Sequence, residues 1–294
     1  MTSFQAWKTA ARLHTLPAAI TPVTVAAGLA VNGGVFRWDA FIWTLVGAIA
    51  IQVAANFAND ASDAAKGTDT EDRLGPPRMV ALGIISPRSM WTATGIAVGV
   101  ASIAGVFLTI IAGPWILIIG VASVLAMLGY VGGRSPYGYR GLGELSVFVF
   151  FGLVATVGSR YVYDGTAPLS AWLLAIPIGM LATAILVANN YRDLETDRAT
   201  GKRTLAVMIG PKRTQFLFAT LVYGAFPLIV LFAVTGFTPM GTLFGATWAP
   251  FAIGPVSIVQ SRTDGPNLIR ALKLTARLHL LTGLSLAAGA AITF

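Results

Sequence analysis

Residues 56–78, NFANDASDAAKGTDTEDRLGPPR, carry five acidic side chains directly after a long apolar run. Charged residues make up only 11% of the chain, whereas an ordinary soluble domain has roughly 25%. Asp60 and Asp63 are three positions apart, so on a helix they share a face with Asn56 and Asn59. Two carboxylates about 4 Å apart repel each other by roughly 4 kcal/mol near a protein surface. A cation is therefore expected at this cluster, and its oxygen ligands favour Mg²⁺.

A second acidic segment, NNYRDLETDRATGKRT at residues 189–204, also follows a long apolar run. Asp193 and Asp197 are four positions apart, which predicts that they share one helical face with Asn189. The spacing NxxxD occurs in both segments, and each is followed by glycine and basic residues, which indicates an internal repeat. Helix C-termini disfavour anions, so carboxylates at two such ends again indicate a bound cation.

The composition predicts an all-α, polytopic membrane protein that forms a single domain over residues 1–294. The chain is 55% hydrophobic with a mean hydropathy of +0.74, and apolar runs of spanning length recur throughout it. Cysteine is absent, and His14 and His279 are the only histidines, which argues against thiolate or histidine metal sites. The predicted spans are residues 15–33, 40–63, 90–112, 114–131, 143–162, 169–192, 214–235, 240–258 and 271–292, with Pro250 and Pro255 expected to kink the eighth.

Lysine and arginine residues predict the orientation of these nine spans. With the N-terminus inside, all of the 20 basic residues except Arg37 and Arg160 fall on the inner side, as the positive-inside rule requires. The N-terminus and both acidic motifs, at the ends of the second and sixth helices, are then cytoplasmic, and the C-terminus lies outside. The expected location is the cell (inner) membrane, and no nucleic acid partner is expected from the net charge of +8.

A diphosphate joined to a lipid tail suits two carboxylate clusters at the mouth of an apolar bundle. Mg²⁺ commonly takes one or two protein carboxylates together with phosphate oxygens. Lys66, Arg78 and Lys202 are well placed to meet anionic oxygens beyond the metal. An allylic prenyl diphosphate would leave a strong electrophile once metal ions stabilise the departing diphosphate.

These motifs resemble the UbiA superfamily of intramembrane prenyltransferases, along essentially the full length of the chain. The family motif NDxxDxxxD is matched at Asn59, Asp60 and Asp63, but Gly67 stands at the last position, for which Asp69 is a possible substitute. The family motif DxxxD is matched at Asp193 and Asp197. The resemblance implies Mg²⁺ at Asp60, Asp63, Asp193 and Asp197, helped by Asn56, Asn59 and Asn189, with diphosphate at Lys66, Arg78 and Lys202.

Two segments, RLGPPR and NNYRD, are more specific to one branch than the shared aspartate motifs. That branch joins a polyprenyl group to 1,4-dihydroxy-2-naphthoate at the ring carbon bearing the carboxylate, with loss of CO₂ and diphosphate, in menaquinone synthesis. The resemblance implies prenyl diphosphate, 1,4-dihydroxy-2-naphthoate and membrane lipid as partners. Arg140 and Tyr139, before the fifth helix, are candidates for binding the aromatic acid.

Other interpretations remain open at this point. Another acceptor, such as 4-hydroxybenzoate, would use the same metal motifs. A secondary transporter would also have many apolar helices and an internal repeat, although its ionisable groups are expected near the membrane midplane. Topology alone would explain the basic residues, and Asn56 and Asn189 could simply cap or bridge helices.

Overall fold

The structure is a computed structural model that describes residues 2–67, 74–75, 77–133 and 136–292. Helices form almost all of the regular structure in these ranges, as the sequence predicts. The α-helices are α1 (Ser3–Ala11), α2 (Pro17–Asn32), α3 (Trp38–Ala65), α4 (Pro87–Ala112), α5 (Pro114–Val131), α6 (Gly143–Val147), α7 (Ala155–Asp164), α8 (Leu169–Arg192), α9 (Leu194–Ala199), α10 (Leu205–Ile209), α11 (Pro211–Val234), α12 (Leu243–Ala246), α13 (Ile253–Ser261) and α14 (Gly265–Ile292).

Proline marks where several of these helices begin. Pro17, Pro87, Pro114 and Pro211 open α2, α4, α5 and α11. The first turn of a helix has no internal partner for its N–H groups, so proline loses nothing there and its fixed φ favours the helix. These prolines therefore set the boundaries of apolar runs that would otherwise be hard to place.

The described part of the chain contains eight segments long and apolar enough to cross a membrane. The pair Ser3–Thr15 and Pro17–Asn32 adds a ninth if it counts as one bent span. These segments overlap the predicted spans, so the prediction of an all-helical, multi-pass membrane protein is confirmed. The span count is eight or nine according to how that pair is treated.

The chain bends by 49° between the helical segments Ser3–Thr15 and Pro17–Asn32, so that an elbow joins α1 to α2. Arg12 at this elbow has φ 49°, and it is the only non-glycine residue in the described ranges with a positive φ. Asn56 on α3 donates hydrogen bonds to the Ala11 carbonyl oxygen and to Thr15 Oγ1, both at 2.9 Å. The strained residue is thus held in place by α3.

The fifth span, Gly143–Asp164, consists of α6, a π-helical stretch at Phe148–Val154, and α7. A Cβ atom on Gly152 would lie only 2.6 Å from the Cα atom of Gly179 on α8. Glycine is therefore required for this close backbone approach. The wider π-turn presents Phe150 and Phe151 to the interior cavity described below.

The eighth span, Met240–Ser261, is broken, as its prolines predict. Its helical segments are α12 and α13, separated by a 3₁₀ turn at Ala249–Ala252 that contains Pro250. Pro255 falls in the first turn of α13, where a missing N–H is tolerated.

α2 and α14 pack closely at Gly28, where a Cβ atom would lie 2.3 Å from the Ala287 carbonyl oxygen. We expect Gly28→Val to lower the free energy of unfolding by about 3 kcal/mol, because the two backbones would have to separate. Thermal unfolding in detergent measures this effect. Gly99→Val is the control, since no atom of the described residues lies within 4 Å of a Cβ atom there. Equal stability of the two variants would contradict the expectation.

Candidate active site

A cavity of about 360 Å³ runs through the bundle along α3. Its lining on α3 extends from Thr44 to Asp63, a rise of about 28 Å at about 1.5 Å per residue. Around Asp63 the walls are polar and charged, whereas towards Thr44 they are formed mainly by apolar side chains of α4, α5 and α7. The cavity therefore has a charged end and a long apolar end.

Asp63 is the acidic residue of the first motif that lines this cavity. It is 2% exposed and forms a buried ion pair with Arg78, with 2.8 Å between Oδ2 and the guanidinium Nη2. The Tyr139 hydroxyl donates a short hydrogen bond to Asp63 Oδ1. Both carboxylate oxygens thus face donors that hold the side chain at the charged end.

Asp60 is 1% exposed and does not line the cavity. Its two oxygens accept hydrogen bonds from the backbone N–H groups of Met79 and Val80, each at 3.1 Å. These residues follow Arg78 directly, so Asp60 fixes the loop that delivers Arg78 to Asp63. Charge-assisted bonds of this kind are among the stronger ones in proteins.

Lys202 brings the two acidic motifs together. Its Nζ lies 4.0 Å from Asp63 Oδ2 and 3.8 Å from Asp197 Oδ1. The two carboxylates are therefore no farther apart than the sum of these distances. Lys202 and Asp63 line the cavity, while Asp197, which is 6% exposed, lies behind the lysine. This geometry places side chains of the two motifs next to each other.

Asn189, Asp193 and Asp197 are predicted to share one helical face, and backbone hydrogen bonds keep helical spacing between them: Asp193 N–H donates to the Asn189 oxygen at 3.2 Å, and Asp197 N–H to the Asp193 oxygen at 2.8 Å. α8 ends at Arg192, and Asp193, with φ −92° and ψ 8°, separates it from α9, which carries Asp197. Arg192 holds the Asp193 carboxylate through Nε at 2.7 Å and Nη2 at 2.6 Å. Nη2 also donates to Asn189 Oδ1 at 3.0 Å. This local ion pair accompanies a distortion of the backbone at Asp193, a residue type of low helix propensity.

Two ammonium groups lie near the Tyr139 ring. Lys66 Nζ is 5.0 Å and Lys202 Nζ is 4.9 Å from the ring centroid, within the range of cation–π attraction. Lys66 also donates to the Val131 carbonyl oxygen, and partial burial lowers the pKa of its ammonium group. This arrangement gathers positive charge beside Asp63.

The remaining predicted site residues differ in whether they line the cavity. Asn59 and Asn189 line the cavity with Asn56, whereas Tyr139 and Arg140 do not. Arg140 pairs through its backbone with Arg203. The structure therefore does not place the two candidates for the aromatic acid on the cavity wall. Asp69 lies outside the described residues.

Mg²⁺ fits the donor set at the charged end. Among the described residues there is no group of three or more histidine, cysteine or acidic side chains arranged to hold an ion alone. Single carboxylates from two motifs face one another across Lys202, and the neighbouring ligand atoms are amide oxygens and carboxylates. Mg²⁺ is usually bound in this way, by one or two carboxylates with substrate phosphates and water.

Several polar residues on the wall were not predicted from the sequence. Arg12, His14, Tyr130 and Asn190 line the cavity near its charged end. Asn190 is 5% exposed and donates to Glu144 Oε1 at 2.9 Å. Its position next to Asn189 was only a weak indication that Asn190 lines the cavity, because neighbouring residues on a helix point in different directions.

Comparison with known proteins identifies relatives over nearly the whole chain. The UbiA prenyltransferase family profile matches residues 20–281. The 1,4-dihydroxy-2-naphthoate octaprenyltransferase of Mycobacterium tuberculosis is 37% identical, covering 98% of this chain and 97% of its own. The protein of the same name from Escherichia coli is 34% identical, covering 95% of this chain and 93% of its own.

Solved structures share the fold. A UbiA homolog from Aeropyrum pernix superimposes with a TM-score of 0.72 at 14% identity, covering 92% of this chain and 96% of its own. A UbiA homolog from Archaeoglobus fulgidus, bound to DMAPP and Mg²⁺, gives a TM-score of 0.67 at 14% identity, covering 96% and 99%. The profile match and the near full-length relatives lead to one conclusion: the chain belongs to the UbiA prenyltransferase family.

Proposed function

We propose that this protein transfers a polyprenyl group from a prenyl diphosphate to 1,4-dihydroxy-2-naphthoate, with decarboxylation, in menaquinone biosynthesis. The reaction class rests on one observation: acidic and basic side chains of two motifs meet at the charged end of an apolar cavity about 28 Å long. The acceptor is supported by relatives 34% and 37% identical over most of this chain that are named for it.

The contacts of the predicted site residues suggest three roles: binding the metal, binding the diphosphate and positioning another residue. Asp63 and Asp197, on either side of Lys202, would hold Mg²⁺, with Asp193 and Asn189 beside them. Lys202 and Arg78 line the cavity and would bind diphosphate oxygens, with Lys66 nearby. Asp60 would act by placing Arg78 rather than by facing the substrate. When bound, Mg²⁺ stabilises negative charge on the leaving diphosphate.

In this reaction the carboxylate leaves the ring carbon that is prenylated, so no proton has to leave that carbon. The C–O bond of the prenyl diphosphate breaks, and its electron pair leaves with the diphosphate. The ring carbon bearing the carboxylate forms the new C–C bond. The bond to the carboxylate then breaks, its electron pair returns to the ring, and CO₂ leaves. The product is demethylmenaquinone in its reduced form. Arg78 and Lys202 offset the charge that accumulates on the diphosphate.

The orientation proposed for this reaction places both motifs at the cytoplasmic face of the cell membrane. The distribution of lysine and arginine supports it, because almost all of them fall on the side of the motifs. A soluble aromatic acid would then reach the charged end from the cytoplasm, while the prenyl tail occupies the apolar end.

The proposal is tested by assaying the purified protein in lipid with one polyprenyl diphosphate and different acceptors. With 1,4-dihydroxy-2-naphthoate we expect a decarboxylated prenyl product and one CO₂ per turnover. Prenylation of 4-hydroxybenzoate instead would keep the reaction class but change the acceptor. Failure with every aromatic acceptor would overturn the proposal.

Removal of the divalent metal should abolish this turnover. With EDTA in excess we expect product formation to fall by about a thousandfold, because a diphosphate is a poor leaving group without Lewis-acid stabilisation. Added Mg²⁺ should restore the rate, and the melting temperature in EDTA controls for unfolding. Undiminished turnover in EDTA would rule out the assigned role of the carboxylates.

A further inference from the structure

Glu144 and Asn190 form a buried polar pair whose role the assignments above leave open. Glu144 opens α6 and is 6% exposed, and Asn190 lies near the end of α8 and is 5% exposed. Asn190 Nδ2 donates to Glu144 Oε1 at 2.9 Å. The other carboxylate oxygen, Oε2, is buried and has no hydrogen-bond partner in the described part of the chain. Keeping a half-satisfied carboxyl group inside a bundle is costly.

One member of this pair forms part of the cavity wall, and the other lies behind it. Asn190 lines the cavity, as does Tyr130, while Glu144 does not. The Tyr130 hydroxyl is close to the start of α6, since a Cβ atom on Gly143 would lie 3.1 Å from it. Asn190 is one helical turn deeper than Asp193, on the side of the apolar cavity. Under the proposed function, a group bound there would lie on the side of the acidic motifs from which the prenyl tail extends.

Hydrogen-bond chemistry fixes which way the Asn190 amide points. The NH₂ group of Asn190 donates to Glu144 Oε1, so it faces that side chain. The amide oxygen Oδ1 is then the polar atom available to the cavity. Donation to Glu144 polarises the amide and makes Oδ1 a stronger acceptor.

We propose that Asn190, oriented by Glu144, accepts a hydrogen bond from one ring hydroxyl of the aromatic acceptor. This inference rests on the proposed function. A hydroxyl that donates to Oδ1 gains electron density on its oxygen and passes it to the ring, which makes the ring carbon a better nucleophile. Asn190 contacts the substrate, whereas Glu144 is a positioning residue that acts through Asn190.

Acceptor analogues lacking one hydroxyl test the contact directly. The probes are 1-hydroxy-2-naphthoate and 4-hydroxy-2-naphthoate, measured as inhibitors of turnover. Asn190→Ala should weaken binding of the acceptor and of one analogue by about tenfold. It should leave the affinity for the analogue that lacks the recognised hydroxyl unchanged. Equal weakening of both analogues, or of neither, would overturn the proposal.

Variants of Glu144 separate positioning from general packing. Glu144→Ala should give the same selective loss as Asn190→Ala, and the double variant should lose no more than either single one. Glu144→Gln keeps an oxygen that accepts from Asn190, so it should recover most of the acceptor affinity. Additive losses, or a glutamine variant as weak as the alanine one, would contradict the positioning role.

Two controls keep the outcomes distinct. Gln215 also makes interhelical bonds, which are partly buried, to Tyr191 Oη and the Val259 carbonyl oxygen at 2.9 Å each, but it does not line the cavity. Gln215→Ala should lower thermal stability without changing the ratio of analogue affinities. The unmodified protein must turn over 1,4-dihydroxy-2-naphthoate in the same assay. If it does not, the proposed function fails, and if it does while Asn190→Ala binds both analogues normally, only this inference fails.

Discussion

Replacing Asp63 by asparagine is expected to abolish prenyl transfer while leaving the membrane bundle folded. Asp63 lines the charged end of the cavity, where Arg78, Tyr139 and Lys202 surround its carboxylate. Asparagine has nearly the same shape but no charge, so the metal loses an anionic ligand and the diphosphate is held less firmly through the metal. We expect turnover to fall about a thousandfold or more. Steady-state assays with saturating Mg²⁺ measure the loss.

A second ion pair, in which the arginine is buried and the aspartate is exposed, supplies the control for Asp63→Asn. Arg160 and Asp164 are joined at 2.7 Å at the end of α7, far from the acidic motifs along the chain. Asp164→Asn likewise leaves a buried arginine without its carboxylate, so both variants should lose stability. Only Asp63→Asn should lose activity per folded molecule. Near-normal turnover by Asp63→Asn would refute the metal and diphosphate assignment.

Blocking the apolar part of the cavity should change which donors are accepted. Gly120 lines the cavity on α5, and the helix between it and Val131 is about 16 Å long. The Val131 carbonyl oxygen accepts a hydrogen bond from Ser62, at the level of Asp63. A phenylalanine side chain at Gly120 would therefore fill the cavity well beyond the diphosphate. Gly120→Phe should reduce turnover of long polyprenyl donors about a hundredfold and spare geranyl diphosphate.

Gly95→Phe is the matched control for this experiment. Gly95 and Gly120 are both helical, and in the described part of the chain neither has an atom within 4 Å of a Cβ position, but Gly95 does not line the cavity. Competition between donors of different length gives the ratio of kcat/KM values for each variant. If Gly120→Phe slowed short and long donors equally, the tail would have to lie elsewhere in the protein.

The sequence predicts the membrane helices well because burial in lipid requires long apolar runs. Each predicted span overlaps a helix, and prolines such as Pro87 and Pro114 mark where helices begin. The pairing of Asp63 with Lys202 could be anticipated only in outline, from the repeated motif. Carboxylates at two helix C-termini both need a positive counter-charge. A shared counter-charge is the reason to expect the two distant segments to converge.

Contacts between distant segments could not be predicted in this way. Asp60 bonding to the backbone of Met79 and Val80, or Asn190 bonding to Glu144, depends on how loops and helices pack in three dimensions. The backbone distortion at Asp193 accompanies the bonds from Arg192 to that carboxylate. Helical periodicity alone gives no sign of this distortion.

The length of the cavity decides how the product leaves. Each methylene group of a prenyl tail costs about 0.8 kcal/mol to expose to water. A tail that fills the cavity along α3 therefore cannot escape through the charged end of the cavity. It must pass sideways between helices and dissolve among the acyl chains. Turnover is therefore expected to depend on the fluidity of the surrounding lipid, and the newly made quinone carrier enters the membrane phase in which it diffuses.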